Sequence, residues 1–271
     1  MKLIKTAVIL AFLLMAASPA FAAEKESAYD RVMRTGVIRC GYMPWPPFFD
    51  VDPNTGELGG LNREIFDQVF KLLDLKVQYV EVTLGFHVNE LNEGKVDAIC
   101  GDGPWIISAA KQVDYGDAYV YQPVYVYVRA AEIRADMDNA GVTFAGIDGD
   151  LSVDLKNFRF PKAKMHSLPS LSDPTALMME VITGKADAAI IDSMSARRIL
   201  ETNPGRLKRL GGGKPLAVYP NTFSVAKGED KLLKTINAGV AAALDIGLVD
   251  AILGKYDPAG NLLQVNKPYM K

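Results

Sequence analysis

Four acids stand where an open α/β sheet would offer them to a ligand. Asp102 and Asp192 each end an apolar run of strand length, Ala98-Ile99-Cys100-Gly101 and Ala188-Ala189-Ile190-Ile191, while Asp148 and Asp150 follow the run from Val142 to Ile147. In such sheets ligands bind beyond the carboxyl ends of the strands. An acid at any one of these places is ordinarily a helix cap or a loop residue. Four together would focus negative potential in a cleft and attract a cationic group. The aromatic partner is Trp45, in Met43-Pro44-Trp45-Pro46-Pro47-Phe48-Phe49, where the prolines forbid helix and central strand alike. Large aromatics line small-molecule pockets. Tyr42 and Phe48 flank Trp45, and Pro104-Trp105 follow Asp102, so all of these join the candidate set.

The elements that must position these groups are legible in the spacing. Glu93-Gly94-Lys95-Val96-Asp97-Ala98 runs into the strand that ends at Asp102, and Thr183-Gly184-Lys185-Ala186-Asp187-Ala188 repeats the pattern before Asp192. Two copies of one unit predict two similar lobes with a shared cleft. The strand Val37 to Tyr42, a helix over 62–73, a strand over 76–82 and a short helix over 84–93 give the order βαβαβ, hence a parallel sheet. Tyr119 to Val128 alternates tyrosine with valine and predicts a long strand. Its tyrosines are either an aromatic cage for an organic cation or the half-exposed face of a strand that joins the lobes. Residues 130–215 rebuild the same kind of unit, with Asp173-Pro174 as N-cap and first turn of a helix. A strand over 216–226 and two amphipathic helices close the chain. The pattern leaves lobe one near Val128 and returns near Val218: residues 23–128 with 219–271 form lobe one, and 129–218 lobe two.

Other chemistries find little footing. His87 and His166 are the only histidines and belong to no close ligand set, so no metal site is expected. No P-loop, G-x-S-x-G elbow or G-x-G-x-x-G follows a strand, which leaves no expected cofactor and no catalytic residue. Gly211-Gly212-Gly213 reads as a flexible turn. Lys2, Lys5, the apolar run from Ala7 to Met15 and Ala20-Phe21-Ala22 form a signal peptide over residues 1–22, with no cysteine for a lipid anchor. Its removal takes the formal charge from -2 to -4, and that mild acidity argues against a nucleic-acid partner. In an oxidising compartment Cys40 and Cys100 could be bridged. Both fall late in neighbouring strands, where side-by-side parallel geometry is awkward for the bond, so free thiols stand as the alternative.

From about Val37 to Lys255 the chain resembles the extracellular solute-binding proteins of family 3, the polar amino-acid receptors of ABC importers. The residues that carry the likeness are Tyr42 to Phe48, Gly59-Gly60-Leu61-Asn62-Arg63-Glu64-Ile65, Gly94-Lys95-Val96-Asp97, Ala110-Lys111-Gln112-Val113-Asp114-Tyr115, Gly184-Lys185-Ala186-Asp187 and Asp192-Ser193. The resemblance implies a two-lobed, type II periplasmic binding fold, each lobe a mainly parallel sheet flanked by helices, with two crossover strands and hinge closure. It further implies a monomeric periplasmic receptor that hands a small solute to an inner-membrane permease.

Trp45 matches the family's stacking aromatic, and Asp192 the acid that receives an α-ammonium. Ala109 falls where the family places its carboxylate-binding arginine, and Asp150 and Leu151 replace the usual small hydroxylated residues. An α-carboxylate would thus lose its bidentate cation. The expected ligand carries an amine or other cationic group, with Trp45 stacking and Asp102, Asp150 and Asp192 accepting. Two alternatives remain: a dehydratase on the same scaffold, acting on a cyclohexadienyl acid, and an accessory or sensory partner of a periplasmic dehydrogenase.

Overall fold

The three parallel strands of the first lobe lead the chain toward one edge. The computed structural model describes residues 26–103 and 107–265. Helix α1 (Ala28–Thr35) is capped by Ser27 and stops at Gly36, whose φ of 66° is a left-handed conformation that suits glycine. Strand β1 (Val37–Tyr42) turns Ile38, Cys40 and Tyr42 into the core by simple alternation. A hairpin of β2 (Asp50–Val51) and β3 (Leu58–Gly59) precedes α2 (Leu61–Leu72), β4 (Lys76–Glu81), α3 (His87–Asn92) and β5 (Ala98–Asp102). Strand β1 lies between β4 and β5, parallel to both. Two short pieces follow, a 3₁₀ turn (Ile107–Lys111) and β6 (Val113–Tyr115).

The chain then crosses on β7 (Val120–Arg129) and repeats the design with β8 (Thr143–Ile147), α4 (Leu151–Arg159), β9 (Lys164–Leu168), α5 (Pro174–Ile182), β10 (Ala188–Asp192) and α6 (Ser193–Thr202). Short β11 (Leu207–Arg209) pairs with β7 before β12 (Ala217–Ala226) returns to the first lobe. Helices α7 (Asp230–Asp245) and α8 (Leu248–Tyr256) pack on α2, and β13 (Leu263–Gln264) pairs with β7. The sheet order is β4-β1-β5-β12-β7-β10-β8-β9. The crossover strands pair antiparallel over 217–221 and 120–124, so both passages between lobes share one ladder. The outer strands of each half are parallel, as the βαβαβ order requires.

The two copies of the Gly-Lys-apolar-Asp unit do the same mechanical work. Gly94 and Gly184 take φ of 79° and 81°, each ending the preceding helix. The acid three residues on then ties its strand to the start of the neighbouring one. Asp97 accepts from Arg39 N at 2.7 Å and from the guanidinium groups of Arg39 and Arg31, while its own N–H donates to Arg39 O. Asp187 accepts from Thr143 N at 2.9 Å and from Arg129 and Arg134, with its N–H donating to Thr143 O. These pairs fix where β5 and β10 begin, and so where Asp102 and Asp192 end them.

Cys40 and Cys100 are bonded, resolving the alternative left open by the sequence. In the register Cys40 faces Ala98, so Cys100 lies two residues further along the same face. That diagonal offset, with Cα atoms 5.8 Å apart, removes the objection to bridging parallel neighbours.

The tyrosines of β7 are not a cage for a guest. Tyr127 is fully buried, and the Arg209 guanidinium lies 4.1 Å from the centroid of the Tyr125 ring while donating to Tyr127 Oη. The cation they face is the protein's own.

Each lobe has its own apolar core, one built around Phe66, Phe70, Tyr119 and Phe223, another around Ile147, Leu177, Val181 and Ile191. Trp45 packs against both, Leu84 reaches from the first lobe into the second's core, and Met194 of α6 is buried in the first lobe's core. The lobes are therefore closed on one another. Among the described residues no single helix is long and apolar enough to cross a membrane.

Candidate functional site: an acidic cleft between two lobes

A cavity of about 120 Å3 lies where the strand ends of the two lobes converge. A closed apolar cavity of roughly 150 Å3 holds one benzene, so the space suits a ligand of about that size. The first lobe contributes Met43, Trp45, Phe48, Asn62, His87 and Asp102, and the second Asp150, Ser152, Ile191 and Asp192, with Gln122 and Asn221 from the crossover strands.

Of the residues predicted from the sequence, Trp45, Phe48, Asp102, Asp150 and Asp192 line this cavity. Two do not. Tyr42 shares its face of β1 with Cys40 and packs in the core, its ring 5.3 Å from Phe49 and 6.4 Å from Tyr79. Asp148 is exposed: its N–H still serves the sheet by donating to Leu168 O, and the chain bends toward the cavity only at Gly149, with φ of 85°. Pro104 and Trp105 lie outside the described residues.

Each acid is held by a different local device. Asp150 is the N-cap of α4 and accepts from Ser152 N at 2.9 Å. Asp192 is the N-cap of α6 and accepts from Ser195 N at 2.8 Å. Each cap occupies one oxygen of its carboxylate. Asp102 uses both: Oδ1 accepts from Gly103 N at 2.7 Å, and Oδ2 from Ser224 Oγ. Burial pushes the carboxyl of all three above the usual range. Opposing it are the Ser224 and Gly103 hydrogen bonds at Asp102, the Ser152 groups at Asp150, and the Ser195 groups with Trp45 and Gln122 at Asp192.

Among the described lining residues there is no arginine and no lysine, and Ala109 is in the wall. The backbone of Pro47 and Phe48 receives Leu61 N and Asn62 N, which seats the aromatic loop on the start of α2. A Cβ on Gly60, φ 109°, would sit 2.4 Å from Phe48 O, so only glycine allows that seat. Asn62 continues into a polar floor: Tyr119 Oη lies 2.8 Å from Asn62 Oδ1 and 3.0 Å from Asn221 Oδ1.

Sequence reasoning missed Asn62, Gln122, Ser152 and Asn221, and weighed His87 only as a metal ligand. Asn62 was within reach, since it sits in the Gly59-to-Ile65 stretch that carries the family likeness. The other four are polar residues in ordinary strand or helix positions and become a group only in three dimensions. Among the described residues no cluster of His, Cys, Asp and Glu could hold a metal ion.

The arrangement matches known proteins in fold and in sequence. Residues 38–258 match the model of the bacterial extracellular solute-binding proteins, family 3. The glutamine-binding protein GlnH of an ABC transporter in Bacillus subtilis is 26% identical over 214 residues, covering 77% of each chain. Among solved structures, an ancestral amino acid-binding protein described as a precursor of cyclohexadienyl dehydratase superposes with a TM-score of 0.74 at 24% identity, covering 85% of this chain and 99% of its own. A solute receptor for L-cysteine from Neisseria gonorrhoeae gives 0.73 at 23% identity, covering 89% and 100%. The chain belongs to the bacterial extracellular solute-binding proteins, family 3.

Proposed function

We propose that this protein is a periplasmic receptor for a small amine-bearing solute, which it closes upon and delivers to an ABC importer. The observation that carries the reading is the charge of the cleft: Asp102, Asp150 and Asp192 line it with no described arginine or lysine beside them. A cation would pair with the carboxylates of Asp150 and Asp192, whose remaining lone pairs can accept further bonds, and stack on Trp45. The α4 N-terminus, where an anion would otherwise be welcome, already gives its Ser152 amide to Asp150. A ligand carboxylate would find no bidentate partner and three acids. The relatives GlnH and TcyA of Bacillus subtilis are named for glutamine and L-cystine, which supports an amino-acid-like size and an importer as the recipient.

The lobes in this proposal are residues 23–128 with 219–271 and residues 129–218, hinged where 120–124 pair with 217–221. Residues 1–22 would direct export. No chemical step is assigned: the acids cap helices and accept hydrogen bonds, and prephenate or arogenate should leave unchanged.

Thermal denaturation with a panel of alkylamines, amino alcohols, diamines and amino acids tests the reading. A ligand at about 100 times its Kd stabilises by ~2.7 kcal/mol. Amines should raise the midpoint, and amino acids should do so less. A flat response to every amine would refute the proposal.

A further inference from the structure

Among the described residues two polar atoms that line the cleft are left without partners, and they belong to opposite lobes. His87 is 6% exposed and lines the cavity, and its Nδ1 meets no hydrogen-bond partner among the described residues. Ser152 is 2% exposed and lines the same cavity, and its Oγ, although near enough to the Asp150 carboxyl to ease the cost of burying it, has no partner at hydrogen-bonding geometry. Buried polar atoms are nearly always paired, so two orphans facing one cavity mark a place that something else completes. An unmade bond there costs about 1–3 kcal/mol.

The backbone explains why they meet. Gly85 and Gly149, with φ of 82° and 85°, touch across the cleft, where a Cβ on Gly149 would fall 2.7 Å from Gly85 Cα. His87 opens α3 two residues after the first glycine, and Ser152 lies in the first turn of α4, three residues after the second. The lobes meet at this glycine contact, and both side chains line the cavity together with Asp102 and Asp150.

We propose that His87 and Ser152 are specificity-determining residues that bind a second polar group of the ligand, a neutral group that both donates and accepts, such as a hydroxyl or carboxamide. This rests on the amine reading of the same cleft. A neutral imidazole and a serine hydroxyl can each donate or accept, and a hydroxyl satisfies both. An anion in this position would lie beside Asp102 and Asp150, and an alkyl group would leave both atoms orphaned. The ligand class is then an amine carrying a hydroxyl or amide a few bonds away.

Calorimetric titration of the mature protein with aminobutanol, pentylamine and aminobutanoate separates the possibilities. Aminobutanol should bind at least about tenfold tighter than its isostere pentylamine, because a site built to bond a hydroxyl rejects the analogue that lacks it. His87→Leu should erase that ratio and leave pentylamine within about threefold. His87→Asn, which can place an amide near the Nδ1 position, should restore part of the ratio, and Ser152→Ala should reduce it. Equal binding of the two amines, or an unchanged ratio in His87→Leu, overturns the inference and leaves the amine reading standing. Tightest binding of aminobutanoate overturns it in favour of a carboxylate subsite at His87. Failure of both amines to bind overturns the inference and the amine reading together.

Discussion

In the first lobe the acid that ends the central strand, Asp102, has both carboxylate oxygens engaged, by Gly103 N and Ser224 Oγ. In the second lobe its counterpart, Asp192, has one oxygen on the α6 cap and sits beside Trp45 and Gln122. Both acids are almost wholly buried, at 1% and 4% exposure, and both are reached by the same Gly-Lys-apolar-Asp approach. The first lobe is also stapled by Cys40–Cys100, one half of which forms part of the cavity wall, while the second holds no disulfide. The contrast assigns the lobes different tasks. In the first lobe the acid is bonded within its own lobe, and in the second it is stabilised partly by Trp45 and Gln122, which themselves line the cavity. A repeated scaffold fixes where a side chain arrives, and its neighbours decide what remains for a ligand.

The comparison breaks most visibly at the staple. The disulfide closes a separation of 60 residues, for which the loop-entropy model gives about 4 kcal/mol. Reduction, or Cys40→Ser with Cys100→Ser, should lower the urea midpoint accordingly. An unchanged midpoint would remove the staple from the contrast. Next come the twin structural acids. Asp97→Asn leaves two guanidinium groups around a fully buried site and should cost about 3 kcal/mol. Asp187→Asn, at a site whose side chain is 21% exposed, should cost less. Equal losses in urea titrations would mean that burial does not separate the two copies.

Binding sharpens the contrast further. Asp192→Asn keeps a competent helix cap while removing the charge, and amine affinity should fall by about thirtyfold or more. Asp102→Asn should weaken affinity far less, because its oxygens serve the protein. A greater loss at Asp102 in calorimetry would reverse the assignment. Gly149→Ala puts a methyl group against Gly85 and a side chain at positive φ, so closure should suffer. We expect about a tenfold loss of affinity and a larger radius of gyration with ligand by small-angle scattering.

The smallest effect is that of pH. Burial raises the carboxyls of Asp102, Asp150 and Asp192 in the folded state, so across that window the native protein binds more protons than the unfolded chain. Stability of the free protein then falls as pH rises from the ordinary carboxylate range through the raised values. A cationic ligand favours the ionised acids and offsets that loss, so the ligand-induced shift in midpoint should grow with pH over the same window. A shift that shrinks with rising pH would mean the ligand prefers protonated acids.

Much of the fold was legible because it rests on local signals. Alternation located β7 to within a residue, Asp173-Pro174 announced α5, and Gly94 and Gly184 marked helix ends before the strands that carry Asp102 and Asp192. The hairpin β2–β3 and the short strands β6, β11 and β13 escaped notice. All are two or three residues long, too short to show alternation, and β6, β11 and β13 owe their form to pairing with partners far along the chain. The cavity lining was legible where residue type and nearness to a strand end coincide, at Trp45, Asp102, Asp150 and Asp192. Asp148 misled because one residue at a strand end separates a side chain in solvent from one in the cleft. His87 and Ser152 were unreadable for a physical reason: their meaning is an unmet hydrogen bond, and that exists only once two distant lobes have closed.

The central claim, that the cleft takes an amine with no carboxylate, is tested most directly by native mass spectrometry of protein purified from periplasm without denaturation, followed by identification of the released solute. The account predicts a bound species with a basic nitrogen and no carboxyl group, absent from the Asp192→Asn protein. An α-amino acid released from the wild type would contradict it.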